Sequence, residues 1–260
     1  MTLRASDDVI EHERDFFNDV YQAGTVLPHE FLDVGPEFLF ACRLLGGVAG
    51  KKILDLGCGT GATSLALAVR GARVYGVDVA DEAITALNAN AKRYNVRLEG
   101  ASRMTATELD FPDASFDGVF GARILHHIVH HPFGRQAMDE IHRVLKPGGA
   151  GVFLENNGDN HLLMFVRSRM GWFGAQRTGD ELERPLTEAA LQAAAATFDR
   201  FSFYYPELFL FRMPTTWIPG LRGWGLKAER VDHALSFSQR CNRLGWSRLV
   251  YVSKTGSPAG

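Results

Sequence analysis

Two groups of residues in this chain have types and spacings suited to chemistry. The first is Asp55, Gly57, Gly59 and Gly61, followed by Asp78. Glycines at every second position let the backbone turn tightly and leave no Cβ between it and a ligand. A carboxylate about 20 residues further on, at the end of a strand, is placed to accept hydrogen bonds from both hydroxyls of a ribose. The second group is Arg123-Ile124-Leu125-His126-His127 with Glu155. It offers imidazoles and a carboxylate for proton transfer and a guanidinium for anchoring an anion. Together they suggest a nucleoside site with acid–base groups beside it.

The elements that must position the first group are short and clear. Ile53-Leu54 opens a strand, and a helix begins near Ala62 with Leu65, Leu67 and Ala68 available to pack on a sheet. Gly71 stops that helix, and 72–77 forms a second strand ending on Asp78. Gly57, Gly59 and Ala62 also satisfy the loose dinucleotide pattern, so a Rossmann oxidoreductase using NAD is a competing reading. Asp55 opposes it, because a dinucleotide rests its pyrophosphate on the helix N-terminus and a carboxylate there repels it. The same carboxylate suits a ligand with an ammonium group and no phosphate. A turn that closes a Rossmann-like unit without any ligand, as in a non-catalytic interaction module, is the plain structural alternative.

Asp55-Leu56-Gly57-Cys58-Gly59-Thr60-Gly61 with Asp78 resembles the first two motifs of the class I S-adenosylmethionine-dependent methyltransferases. Leu109-Asp110-Phe111-Pro112-Asp113-Ala114-Ser115-Phe116-Asp117 resembles that family's "LPFPDxSFD" turn, and Leu145-Lys146-Pro147-Gly148-Gly149 its "LKPGG". The resemblance covers about 51–157 with specific motifs and is weak elsewhere. It implies an α/β, Rossmann-like fold with a seven-stranded, mostly parallel sheet, helices on both faces and an antiparallel last strand. It also implies transfer of a methyl group from S-adenosyl-L-methionine to an O, N or C atom of a small-molecule acceptor, leaving S-adenosyl-L-homocysteine. Cofactor-binding positions carried over are Asp55, Gly57, Cys58, Gly59, Gly61, Asp78, Val79, Thr105, Ala106 and Ala122. Thr105 stands where the family usually has an Asp for the adenine amino group, which leaves backbone groups near Ala106 to read the ring.

The acceptor side is less defined. The resemblance puts His127 first as general base, then His126, with Glu155 in reserve and Arg123 as an anchor for an acidic acceptor. His126, His127, His130 and His131 also have spacings that invite a metal reading. The family carries "LHH" here without a metal and Pro132 interrupts a continuous helix, so no metal is expected. Tyr21 is a lid candidate, against the alternative of an aromatic packed at a helix end.

Composition narrows the function class. A net charge of −2 argues against a general nucleic-acid binder, and no run reaches the roughly 18 apolar residues of a membrane span. Cys42, Cys58 and Cys241 show no CxxC spacing, which fits a reducing cytosol. A cytoplasmic location follows as an expectation, with oligomeric state undetermined. Residues 161–254 carry 13 Lys and Arg against 8 Asp and Glu, and 15 of the 28 aromatics. Trp172 and Arg177 in this stretch are substrate-binding candidates for a partly aromatic or amphipathic acceptor of specialised metabolism. Ordinary surface arginine over an aromatic core is the alternative, and peripheral contact with a lipid or lipid-linked glycan at a membrane surface is a rival use.

The chain divides as one methyltransferase-like domain, 1–260. Residues 1–50 form a helical lid, with helices over 6–21 and 36–45, and 51–157 form the cofactor core. Within the core, Asp81 caps a helix to about 94, a third strand begins at 96–98, the fourth spans 118–122, a helix spans 133–145 and the fifth strand 150–154. Residues 158–225 form a substrate-side insertion, with a Thr187-capped helix over 188–197, a sixth strand among 201–213 and a loop over 217–225. A last helix over 226–244 and a strand over 246–253 precede a tail, 255–260.

Overall fold

A computed structural model describes residues 2–21, 26–27, 34–160, 186–206, 219–235, 245 and 247–256. Its elements are α1 (Thr2–Val20), α2 (Pro36–Leu44), β1 (Lys52–Leu56), α3 (Ala62–Val69), β2 (Arg73–Asp78), α4 (Asp81–Arg93), β3 (Gly100–Arg103) and β4 (Phe116–Ala122). There follow α5 (Leu125–Ile128), α6 (Gly134–Val144), β5 (Leu145–Asn156), α7 (Glu188–Ala194), β6 (Arg200–Tyr204), a 3₁₀ turn (Pro219–Trp224), α8 (Gly225–Leu235) and β7 (Ser247–Ser253). The seven strands form one sheet in the order β3-β2-β1-β4-β5-β7-β6. Neighbours from β3 to β5 pair in parallel, and β7 runs antiparallel to both β5 and β6. This is the Rossmann-like sheet that the motifs imply.

Alternating side chains feed two core layers, as the two-residue period of a strand requires. Ile53, Phe120, Val152 and Leu249 pack on one face with Phe38 and Leu45 of the α2 region and Leu67 of α3. Leu54, Val119, Phe153 and Val250 pack on the other with Met138 and Ile141 of α6 and Leu191 of α7. In α6 the buried residues Ala137, Met138, Ile141 and Val144 recur at helical spacing, so one stripe of the helix is covered.

Several sequence expectations shift. Asp81 is the first helical residue of α4 and Ala80 the cap, with no side-chain capping bond. The third strand starts at Gly100 because residues 95–96 finish the helix instead. Asn95 adopts a left-handed φ of 53°, and the Val96 amide donates back to the Ala91 carbonyl at 2.9 Å. The fifth strand is longer than 150–154: pairing with β4 begins at Phe116 with Leu145, then shifts register before Gly118 meets Ala150. Residues 219–224, read as loop, form a 3₁₀ turn. The Thr187 cap is present, its Oγ1 accepting from the Ala190 amide at 3.3 Å. Phe209, Phe211 and Met213 and the end of the last expected helix lie outside the described residues.

One buried cation ties the far side of the sheet together. Arg248 on β7 is fully buried, with Nη1 2.7 Å from Asp159 Oδ2 and Nη2 donating to the Leu186 carbonyl. Its guanidinium lies 5.0 Å from the ring centre of Phe203. Asp159 Oδ2 also accepts from the Glu188 amide at 3.0 Å, which fixes the start of α7. The sequence reading had no role for this residue.

Candidate functional site

The strand order reverses between β1 and β4, and open α/β sheets bind ligands outside the carboxyl ends of strands at such a point. A cavity of about 650 Å³ lies there. Its floor is the glycine turn. Gly57, Gly59 and Gly61 have φ of +69°, +48° and +97°, a region that L side chains rarely enter. A Cβ on Gly57 would lie 2.8 Å from Ile124 Cδ1, and one on Gly59 would lie 3.1 Å from Tyr21 Oη. Gly61 does not line the cavity; it caps α3 under Leu87, where a Cβ would come within 2.2 Å of Leu87 Cδ1.

Asp78 sits at the end of β2 and faces the cavity. Its Oδ2 accepts from the Gly59 amide at 2.9 Å and its Oδ1 from the Ala80 amide at 3.0 Å. A carboxylate has about four lone-pair sites, so these bonds leave room for an external hydroxyl donor. Burial raises its pKa, against the opposing pull of the Ala80 and Gly59 amides. Cys58 and Val79 line the same wall, and burial pushes the Cys58 thiol well above its usual range.

Asp55 occupies a different place from the one its motif suggests. It is 1% exposed and outside the cavity lining, held from below by a 2.5 Å hydrogen bond from Ser64 Oγ to Oδ2. Oδ1 has no partner among the described residues. Burial, with Asp78 adding repulsion and Ser64 opposing, lifts its pKa to about 7. Asp55 therefore supports the glycine turn from beneath and does not present its carboxylate to a ligand.

A second wall is formed by Met104, Thr105, Ala106 and Thr107, with Thr105 Oγ1 3.0 Å from Thr107 Oγ1. Two neighbouring hydroxyls thus stand where one carboxylate is usual. Ala122 and Arg123 line the cavity from the end of β4; Arg123 is exposed and takes a left-handed φ of 56° as the chain turns into α5.

The two histidines are brought together at that turn, ring centres 4.1 Å apart, both facing the cavity. His126 Nδ1 is 2.8 Å from Glu155 Oε2. Glu155 itself is 1% exposed and does not line the cavity. Its Oε1 accepts from the Ile124 and Leu125 amides at 2.9 and 2.7 Å, so it fixes α5 and orients His126; Asn156 reaches the cavity instead. A reserve base is therefore not what its position offers. His127 Nδ1 is 3.2 Å from Glu13 Oε2.

Residues 53–149 match the family model described as a methyltransferase domain. Over those residues the chain is similar to methyltransferase domains, in line with the glycine turn and Asp78. The chain is 35% identical over 145 residues to the demethylmenaquinone methyltransferase of Tropheryma whipplei, covering 55% of this chain and 58% of that protein. It is 35% identical over 130 residues to the ubiquinone biosynthesis O-methyltransferase of Idiomarina loihiensis, covering 48% and 52%. The chain thus spans little more than half the length of these curated relatives. Among solved structures, the [4+2]-cyclase SpnF superposes with a TM-score of 0.56 at 16% identity, covering 85% of this chain and 80% of that one. That likeness shows the fold alone.

The methyltransferase-like core accounts for the floor of the cavity, and α1 supplies a roof that its motifs do not describe. Ile10, Glu13, Phe17 and Tyr21 line the cavity at intervals of three, four and four residues, one face of a helix. Phe17 stacks on Tyr21 at 5.6 Å and meets the His127 ring edge-on at 5.2 Å. Burial, then the charges of Asp78 and Cys58, pushes the Tyr21 hydroxyl up to about 12, so it stays a donor at neutral pH. Glu13 and Phe17 were visible in the sequence only as part of an amphipathic helix, and that stripe is the signal that could have found them. Trp172 and Arg177 lie outside the described residues.

Proposed function

We propose that this chain transfers the methyl group of S-adenosylmethionine to a small-molecule acceptor. The observation that carries the reading is Asp78, held by the Gly59 and Ala80 amides at the edge of the cavity with acceptor capacity left for a ribose hydroxyl. Gly57, Cys58, Gly59 and Val79 would hold the nucleoside and amino-acid portions against the turn, with Met104 to Thr107 beside the base. The bound cofactor supplies an activated methyl group on a sulfonium. Ile10, Phe17, Ile128 and Phe133 give the remaining space apolar walls, which suits a partly aromatic or amphipathic acceptor and excludes water from it. The quinone-pathway names of the two relatives fit such an acceptor. With Nδ1–H directed at Glu13, His127 takes an acceptor proton at Nε2, and Arg123 attracts an anionic substituent.

Positioning outranks proton transfer in this scheme. Alignment of reacting groups contributes about 7 to 11 kcal/mol, whereas a general base contributes about 10²- to 10⁴-fold in rate. Titration calorimetry with S-adenosylhomocysteine and with NADH tests the reading. Binding of the first alone supports it; binding of NADH alone makes the chain an oxidoreductase, and binding of neither makes it an interaction module.

A further inference from the structure

We infer that Glu13, carried on the N-terminal helix, is the positioning residue of His127, so that docking of α1 assembles the proton acceptor of the site. This deepens the proposed methyl transfer and rests on that reading for its catalytic meaning. Its structural content stands on geometry alone.

Of the α1 residues that line the cavity, Ile10 and Phe17 are apolar, as is the ring of Tyr21 just past its end, and Glu13 is the exception. It is 9% exposed. A carboxylate on a covered stripe is costly unless it is paired and hydrogen-bonded. Its partner is the imidazole of His127, with Glu13 Oε1 and Oε2 at 3.3 and 3.2 Å from Nδ1, and the two side chains only 12% and 10% exposed. One turn further along the same helix, Phe17 presents its ring to His127 edge-on at 5.2 Å. The helix therefore fixes the tautomer through one residue and the ring plane through the next. A carboxylate accepting from Nδ1–H puts the basic lone pair on Nε2.

The other charged groups around His127 do not substitute for Glu13. His126 lies beside it, with Glu155 engaged on His126 Nδ1 and on the Ile124 and Leu125 amides. Asp78 interacts with His127 through charge, while its own oxygens are held by the Gly59 and Ala80 amides. The orienting carboxylate for His127 thus comes from outside the methyltransferase-like core, across 114 residues of sequence. The end of α1 is held independently: Asn18 Oδ1 accepts from the Glu82 amide at 3.2 Å, which allows the effect of Glu13 to be separated from docking of the helix.

The test is ¹⁵N NMR of histidine-labelled full-length protein, with His127 assigned by its loss in His127→Asn. Wild type is expected to show His127 predominantly as the Nδ1–H tautomer when neutral. Glu13→Leu, which removes both acceptor oxygens and keeps an apolar side chain on the stripe, should abolish that bias, and Glu13→Asp should restore most of it. An unchanged tautomer in Glu13→Leu overturns the inference. So does a lost tautomer accompanied by new protease cleavage within α1, since that outcome makes Glu13 a docking residue only. Failure of wild type to bind S-adenosylhomocysteine would sink the methyl-transfer reading and leave the tautomer result intact, so the two failures are distinguishable.

Discussion

Gly59 and Asp78, 19 residues apart, are joined by a 2.9 Å hydrogen bond from the glycine amide to carboxylate Oδ2. The bond makes the glycine turn and the end of β2 a single surface, so the ribose acceptor and the close-approach backbone are positioned by each other. Asp78→Ala removes the hydroxyl acceptor and one support of the turn. Affinity for S-adenosylmethionine should fall about tenfold to hundredfold, corresponding to about 1.5 to 3 kcal/mol. An unchanged dissociation constant by calorimetry would remove the ribose assignment.

Asp55 should give the ligand-free protein a pH dependence of its own. Its folded pKa is raised from 3.8 to about 7, so between those values the folded state holds a proton that the unfolded state has lost. The resulting stabilisation is fully present below about pH 4 and is lost as pH rises through 7. Asp55→Asn cannot show this component. Urea midpoints at pH 5 and pH 8 should therefore reveal wild type losing ground relative to the variant, and a constant difference would place the carboxylate in a wetter setting than its burial indicates.

His127→Ala is expected to lower turnover by about 10²- to 10⁴-fold with the first acceptor found to react through a hydroxyl or ammonium, while cofactor affinity holds. Wild-type turnover in the variant would leave the chemistry to alignment alone. An acceptor that reacts at carbon without proton loss in the rate-limiting step should show a smaller deficit.

Gly61→Ala should destabilise the fold rather than merely weaken binding. The residue has φ +97°, and a Cβ would meet Leu87 Cδ1 at 2.2 Å. The backbone cost alone is about 1 to 3 kcal/mol. Chemical denaturation should register it, and a variant as stable as wild type would show that α4 yields easily.

Arg248→Met should cost roughly 3 kcal/mol, toward the lower end for a broken buried pair because Asp159 keeps 38% of its side chain exposed. Equilibrium unfolding would measure it. A neutral result would mean that Phe203 and the methionine repack well enough to replace the pair.

The β1-α3-β2 unit was legible because each of its signals is local: apolar runs, a glycine turn that permits positive φ, and an acid at a strand end. The seven-stranded, mostly parallel sheet and its antiparallel last strand followed from the family resemblance, and the strand pairings bear them out. Contacts between distant elements were not legible in that way. Nothing near Glu13 in sequence points to His127, and nothing in Asp-Leu-Gly-Cys-Gly says that Asp55 turns away from the cavity onto Ser64. The start of β3 was misplaced for a related reason: Val96-Arg97-Leu98 reads as strand, but the backbone of Val96 is already committed to the end of α4.

The clamp made by Arg248 has a consequence for how this protein could be re-engineered. One guanidinium grips Asp159 and the Leu186 carbonyl, so the chain leaves and re-enters the sheet edge at two points held by the same buried side chain. The positions of residues 159 and 186 are thus set together from β7, and a redesign that keeps Arg248, Asp159 and the Leu186 carbonyl keeps that spacing.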